Sequence, residues 1–159
     1  KTRRMITNSA QQTQKIGNDF AQTLKGGEVI CLYGDLGFGK TTFTQGLASG
    51  LGIQKRITSP TFTIIRQYNY SSSEQSESRS SNDVSSRQAR TIKSLYHIDL
   101  YRIESEKDVE GLGLKEILED KDAVVVIEWP EKLRVLLPEK RIDVRFEYID
   151  GTKRTITIT

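Results

Sequence analysis

Apolar positions recur along this chain with two different periods. The continuous runs Glu28-Val29-Ile30-Cys31-Leu32-Tyr33 and Ala123-Val124-Val125-Val126-Ile127 read as strands buried on both faces. Ile16, Phe20 and Leu24 recur at helical spacing behind Asn8 and Ser9. A helix is therefore predicted from that N-cap region to about Leu24, ended by Gly26-Gly27. A second helix is predicted from Lys40 to Leu51, with Phe43, Leu47, Ala48 and Leu51 on one stripe and Gly50 and Gly52 closing it. Residues 4–7 read as a short edge strand, 63–68 as an extended segment, and 95–100 as a strand that carries an acid, Asp99, near its end. Residues 107–118 have a helical pattern that Gly111 and Gly113 weaken, so a break is expected there. A short helix at 131–136 precedes a polar–apolar alternation over 141–147, the mark of a half-buried strand. Asp150-Gly151 is a hairpin signal, and 154–159 returns as the last strand. The order predicts an α/β fold: a mixed, mainly parallel sheet flanked by helices, with an antiparallel C-terminal hairpin.

One stretch breaks the pattern. Residues 71–90 hold nine serines, a single β-branched apolar residue, Val84, and no aromatic. Such a segment buries too little apolar surface to offset the entropy of ordering. It is expected to be a disordered insertion, reaching to about residue 93, within a single 159-residue domain. A neutral insertion and a regulatory or partner-binding loop are both open.

Composition narrows the picture only slightly. The formal charge of +3 is mildly basic, and much of the excess lies in Arg79, Arg87, Arg90 and Lys93. This reads as a solvated surface and not as a nucleic-acid-binding face. No apolar run of membrane-spanning length occurs, and no apolar region follows the basic N-terminus as a signal peptide requires. The chain begins with Lys1 and is expected to be processed or trimmed. The one cysteine, Cys31, excludes a disulfide within the chain and reads as a small core residue in a reducing compartment.

The strongest chemical signal follows the first buried strand. Gly34-Asp35-Leu36-Gly37-Phe38-Gly39-Lys40-Thr41 has the spacing G-x-x-x-x-G-K-T of a phosphate-binding P-loop, with strand before and helix after. The glycines let backbone N–H groups converge on phosphate oxygens. Lys40 brings an ammonium to the β and γ phosphates, the Thr41 hydroxyl can ligate Mg²⁺, and the helix N-terminus favours anions. Lys40 is expected to face an open, solvent-filled pocket. A carboxylate near the metal should end a neighbouring strand. Glu128, after four β-branched residues, and Asp99 are the candidates, with Trp129 placed to exclude water. Glu128 is assigned to metal or water activation and Asp99 to a second place in the site, their division of labour being open. Thr58-Ser59-Pro60-Thr61-Phe62 is either a switch that senses the γ phosphate through a hydroxyl or an ordinary Ser/Thr turn. The sole histidine, His97, reads as a packed or hydrogen-bonded core residue.

Taken together, Gly34 to Thr42, Ser59-Pro60-Thr61-Phe62-Thr63, Tyr96-His97-Ile98-Asp99-Leu100-Tyr101-Arg102 and Ile127-Glu128-Trp129 resemble the motifs of the bacterial TsaE (YjeE) family, in order. Gly111-Leu112-Gly113-Leu114 also resembles a glycine-bearing helix of that family, and the likeness covers the chain except residues 71–93. The resemblance implies a P-loop NTPase fold and the Mg²⁺-dependent ATPase of tRNA threonylcarbamoyladenosine (t6A) formation, weak without its partners. It implies an ATP/ADP-binding set of Thr13, Asp35, Leu36, Gly37, Phe38, Gly39, Lys40, Thr41 and Thr42. Thr13 would lie near the adenine, Thr41 and Glu128 would hold the metal, and Lys40, Glu128, Asp99 and Thr61 would serve catalysis. The implied partners are the threonylcarbamoyl-transferase subunit and its dimer partner, of TsaD and TsaB type, with tRNA reached through that complex in the cytoplasm. Phe38 departs from the alanine usual in the family. The alternatives are a P-loop small-molecule kinase, which needs a substrate pocket and an arginine-bearing lid, and a nucleotide-binding module without hydrolysis.

Overall fold

The computed structural model describes residues 1–35, 37–69 and 92–159. Seven strands form one sheet: β1 (Arg3–Thr7), β2 (Val29–Tyr33), β3 (Ile65–Asn69), β4 (Ser94–Asp99), β5 (Ala123–Glu128), β6 (Ile142–Asp150) and β7 (Lys153–Ile158). Their order across the sheet is β1-β7-β6-β2-β5-β4-β3. The four central strands, β6-β2-β5-β4, are mutually parallel. Antiparallel pairing completes both margins, β6-β7-β1 on one side and β4-β3 on the other. The antiparallel C-terminal hairpin was legible in the sequence, whereas the second antiparallel margin at β3 was not. Every residue of β5 is buried, as its unbroken apolar run requires.

The pleat of β2 and β5 divides the core. Ile30, Leu32, Val124 and Val126 face helices α1 (Ala10–Ala21) and α2 (Lys40–Leu51), among Phe43 and Leu47. Val29, Cys31, Val125 and Ile127 face the opposite side, against Val109, Leu114 and Leu133. Helix α1 starts where the sequence places it: Ser9 Oγ accepts from Gln12 N at 3.2 Å, an N-cap bond. It ends at Ala21, short of Leu24, because the last turn tightens into i→i−3 bonds from Gln22, Thr23 and Leu24. The pattern over 107–118 resolves into a 3-10 turn, Glu106–Val109, and a short helix α3, Leu114–Leu118, parted at Gly111 and Gly113, both at positive φ. The expected helix at 131–136 is a 3-10 segment, Pro130–Leu136, interrupted at Arg134 (φ 50°, ψ −116°).

Three further expectations are corrected. Gly50 does not close α2. It lies inside it, where a Cβ would meet Asn18 O of α1 at 2.5 Å, and Gly52 alone forms the left-handed cap. The segment 63–68 is extended only from Ile65, since 61–63 form a turn with Thr63 N and Ile64 N donating to Pro60 O. Ile92 and Lys93, placed in the insertion, belong to the fold: Ile92 is buried in the core and Lys93 N donates to Asp122 O at 2.6 Å. Residues 71–90 of the expected insertion lie outside the described residues.

Helices α1 and α2 touch backbone to backbone. A Cβ on Gly17 would meet Phe43 O at 2.3 Å, and one on Gly46 would meet Gln14 O at 2.0 Å. Both obstacles are main-chain atoms, so neither can yield without parting the helices. Gly46→Ala should destabilise the protein by about 1–3 kcal/mol or more, the range for overpacked interiors. An unchanged guanidinium unfolding midpoint would show that the helices separate at no cost. Cys31 is fully buried, and burial pushes its thiol up to about 12. Alkylation by iodoacetamide at pH 8 is expected to be slow and limited by unfolding, so labelling should track the folded fraction across a urea series.

Candidate functional site

The parallel centre of the sheet delivers the site. At Tyr33 β2 ends, and Gly34, Gly37 and Gly39 then take positive φ values of 146°, 79° and 101°. Gly39 is the residue from which α2 begins. A side chain at Gly37 or Gly39 would meet no severe clash, so at these two positions the backbone conformation favours glycine. The loop thus turns its backbone at the N-terminus of a 12-residue helix, where N–H groups lack intrahelical acceptors.

A cavity of about 270 Å³ opens there, lined by Gly37, Gly39, Lys40, Thr41, Thr42, Ser59, Thr61, Asp99, Tyr101, Glu128 and Trp129. The acids reach it because β4 and β5 pair in register, setting Asp99 directly beside Glu128. Both are buried. Asp99 is fully engaged: Oδ2 accepts from Ser59 Oγ at 3.0 Å and Thr61 Oγ1 at 2.9 Å, and Oδ1 accepts from Tyr101 N at 2.9 Å. Its own N donates to Ile64 O at 2.8 Å, so Asp99 grips the Ser59–Ile64 segment at both ends. Glu128 uses Oε2 in a 3.0 Å hydrogen bond with His97 Nε2.

Lys40 is not solvated as expected. It is 5% exposed, donates to Gly34 O, and lies over the Trp129 ring with Nζ 4.3 Å from its centre. Burial lowers its pKa, and the charges of Glu128 and Asp99 partly oppose that shift. Trp129 holds a left-handed conformation (φ 58°, ψ 47°), which turns the chain immediately after Glu128.

Of the residues singled out from sequence, Gly37, Gly39, Lys40, Thr41, Thr42, Thr61, Asp99 and Glu128 line this one cavity. Thr13, Asp35 and Phe38 do not line it, and Leu36 lies outside the described residues. Thr13 is buried on α1, its Oγ1 within 3.1 Å of Thr7 Oγ1, and its methyl is a neighbour of Gly39. Phe38 instead stacks on Tyr148 of the C-terminal hairpin, ring centres 6.0 Å apart, with the Arg154 guanidinium 5.8 Å from its ring. Sequence reasoning gave no place to Tyr101 as a wall, nor to the His97–Glu128 pair. The two-residue offset of His97 from Asp99 was the available signal, since it puts both on one face of a strand.

The donors facing the cavity are hard oxygens: the Thr41 hydroxyl and two carboxylates. Among the described residues no group of three or more His, Cys, Asp or Glu could hold a metal alone. The donor set fits Mg²⁺, which takes one or two protein oxygens and completes its shell with phosphate oxygens and water.

Fold and site together define a P-loop NTPase: parallel core strands, a glycine loop into a helix, and acids at adjacent strand ends. The family model for "Threonylcarbamoyl adenosine biosynthesis protein TsaE" matches residues 7–156, and the chain belongs to the TsaE family. The Bacillus subtilis (strain 168) protein named tRNA threonylcarbamoyladenosine biosynthesis protein TsaE is 37% identical over 153 residues, covering 96% of this chain and 82% of the relative. A Treponema pallidum (strain Nichols) protein of the same name is 35% identical over 155 residues, covering 98% of each. The crystal structure of Bacillus subtilis YdiB superposes with a TM-score of 0.72 at 32% identity, over 99% of this chain and 84% of that one.

Trp129 is the only tryptophan and lies in the cavity wall against Lys40. Phosphates that draw Lys40 away from the ring should therefore change its fluorescence. Titration with ADP and Mg²⁺ is expected to give a saturable emission change that Lys40→Ala abolishes. Emission unaltered at saturating nucleotide would separate the cavity from nucleotide binding.

Proposed function

We propose that this chain binds ATP with Mg²⁺ and hydrolyses it in the cytoplasm as an accessory step in forming t6A at adenosine 37 of tRNA. It acts on a transferase assembly of TsaD and TsaB type and reaches tRNA only through that assembly. The observation that carries the reading is the convergence of Lys40, Thr41, Asp99 and Glu128 on one cavity at the ends of parallel strands. Family membership and the relatives' names supply the t6A context.

In this reading the backbone from Asp35 to Thr42, including Leu36 and Phe38, cradles the phosphates. Lys40 leaves Gly34 O and Trp129 to meet the β and γ phosphates, where it offsets charge that grows as the bridging bond breaks. Thr41 and Glu128 hold the metal, and Mg²⁺ when bound neutralises phosphate charge. The division of labour between the acids follows from their hydrogen bonds. Asp99 already accepts three, so it organises the Ser59–Thr61 hydroxyls and Tyr101, while Glu128 serves metal and water. Thr61 is the hydroxyl that senses the γ phosphate. Thr13, beside Gly39, takes the place near the adenine. The kinase alternative is less well supported, because among the described residues no arginine lines the cavity.

Steady-state ATPase measured with and without the transferase heterodimer tests the proposal. Lys40→Ala should lower hydrolysis by about 10²–10³-fold or more, the cost of removing a preorganised electrostatic stabiliser, while the thermal melt still shows a folded protein. The same variant should permit a first round of tRNA modification and block repeated rounds. Equal multiple-turnover yields from parent and Lys40→Ala would refute a resetting role for hydrolysis.

A further inference from the structure

His97 has no role in nucleotide or metal binding as proposed, yet it is a polar side chain held inside the core. It is fully buried on β4, two residues before Asp99 and on the same face. On β5 its register partner is Val126, and Glu128 lies one pleat further along, on the same side of the sheet as His97. The ring reaches along that face to place Nε2 3.0 Å from Glu128 Oε2, with side-chain exposures of 0% and 5%. The other ring nitrogen, Nδ1, is buried and has no hydrogen-bond partner.

With Glu128 as a carboxylate, which only accepts, the shared proton belongs to Nε2 and the ring donates. Nδ1 then carries a lone pair and not a stranded N–H. A buried polar atom without a partner is unfavourable, and a leucine of similar volume would fill this core position without it. The single polar contact that an imidazole adds here is the one to Glu128. That contact restrains a carboxylate in the cavity wall facing Lys40 and Thr41.

We propose that His97 is a positioning residue: by donating from Nε2 it holds the Glu128 carboxylate in the orientation that receives a divalent cation. The inference rests on the reading of Glu128 as a metal-binding residue. One carboxylate oxygen is spoken for by the ring, which leaves the other for the cation and limits the group to a single-oxygen contact. Hydrogen bonds of this kind to a ligating side chain commonly change metal affinity by 10–100-fold when removed.

The test uses the full chain saturated with ADP, with Mn²⁺ as the probe and free Mn²⁺ counted by electron paramagnetic resonance. Parent, Glu128→Gln, His97→Leu and His97→Gln are compared, and metal-free ADP affinity is measured for each. Glu128→Gln should weaken Mn²⁺ binding. His97→Leu should weaken it about 10–100-fold while metal-free ADP affinity stays at the parent value. His97→Gln, whose amide can still donate, should retain more affinity than His97→Leu. If Glu128→Gln weakens Mn²⁺ binding and His97→Leu does not, the positioning role is wrong and the metal reading stands. If Glu128→Gln binds Mn²⁺ as the parent does, the metal reading falls and takes the positioning role with it. Should His97→Leu fail to fold, ¹⁵N spectra of the parent decide, because this chain has one histidine. A ring proton on Nε2 is expected, and a proton on Nδ1 alone would overturn the proposal.

Discussion

Parallel pairing of β5 with β2 on one side and β4 on the other is the constraint from which the cavity follows. Glu128 lies across from Leu32 and from Asp99 in the two ladders, so the strand that enters the glycine loop and the strands that carry the acids end together. Side chains alternate with a period of two, and a slip of one residue would turn Glu128 to the other face. There it would leave His97 and press a carboxylate into the apolar cluster of Val125, Ile127 and Leu133. Burying an unpaired charge is far costlier than a few mismatched methyl groups. Val124 and Val126 on one face and Val125 and Ile127 on the other leave no solvent-facing side to absorb such a shift. The register that places the chemistry is thus enforced by the core.

Two strained residues, Trp129 in the cavity wall and Ile64 bonded to Asp99, lie beside the same cavity. Among the described residues Ile64, Trp129 and Arg134 are the non-glycine residues at positive φ. Ile64 is β-branched, for which φ of 66° is a true outlier. Its carbonyl accepts from Asp99 N, and Trp129 directly follows Glu128. Conformations of this kind cost about 1–3 kcal/mol each and persist only where surrounding contacts over-determine them. Asp99 supplies those contacts for the hydroxyl segment through Ser59, Thr61 and Ile64. The burial of β5 and Leu133 supplies them around Trp129. Loop geometry near the site is therefore held by the acid and the strand behind it.

Much of this was legible in the chain because its signals are local. A run of Val and Ile buried on both faces, a Ser N-cap and a glycine loop before a helix each declare themselves within a few residues. What stayed hidden depends on which elements meet. Gly46 and Gly50 have the spacing of a close helix contact, but nothing in α2 alone says that Gly17 of α1 answers them. The antiparallel margin at β3 escaped because pairing partners separated by a long insertion leave no turn signal. Lys40 was expected in solvent because the motif specifies what it binds and not where the ammonium rests beforehand. Its resting place needs Trp129, from a segment 89 positions away in the chain. Phe38 was a departure without a partner until the hairpin brought Tyr148 and Arg154 to it.

The charges in the cavity impose a further condition on ligand binding. Lys40 contributes one positive charge and Asp99 and Glu128, when ionised, two negative ones, so the described wall carries an excess of negative charge where phosphates are to enter. The N-terminus of α2 offsets only part of it. On the proposed reading, nucleotide without a divalent cation must work against the two carboxylates. A cation without nucleotide meets no group of three or more His, Cys, Asp or Glu among the described residues. Each ligand therefore supplies what the other lacks, and by linkage each must raise the affinity for the other by the same factor. On that reading the carboxylates that repel bare phosphate are the ones that would recruit the metal, and a negatively charged wall opposite the glycine loop would work as a requirement that nucleotide and metal bind together.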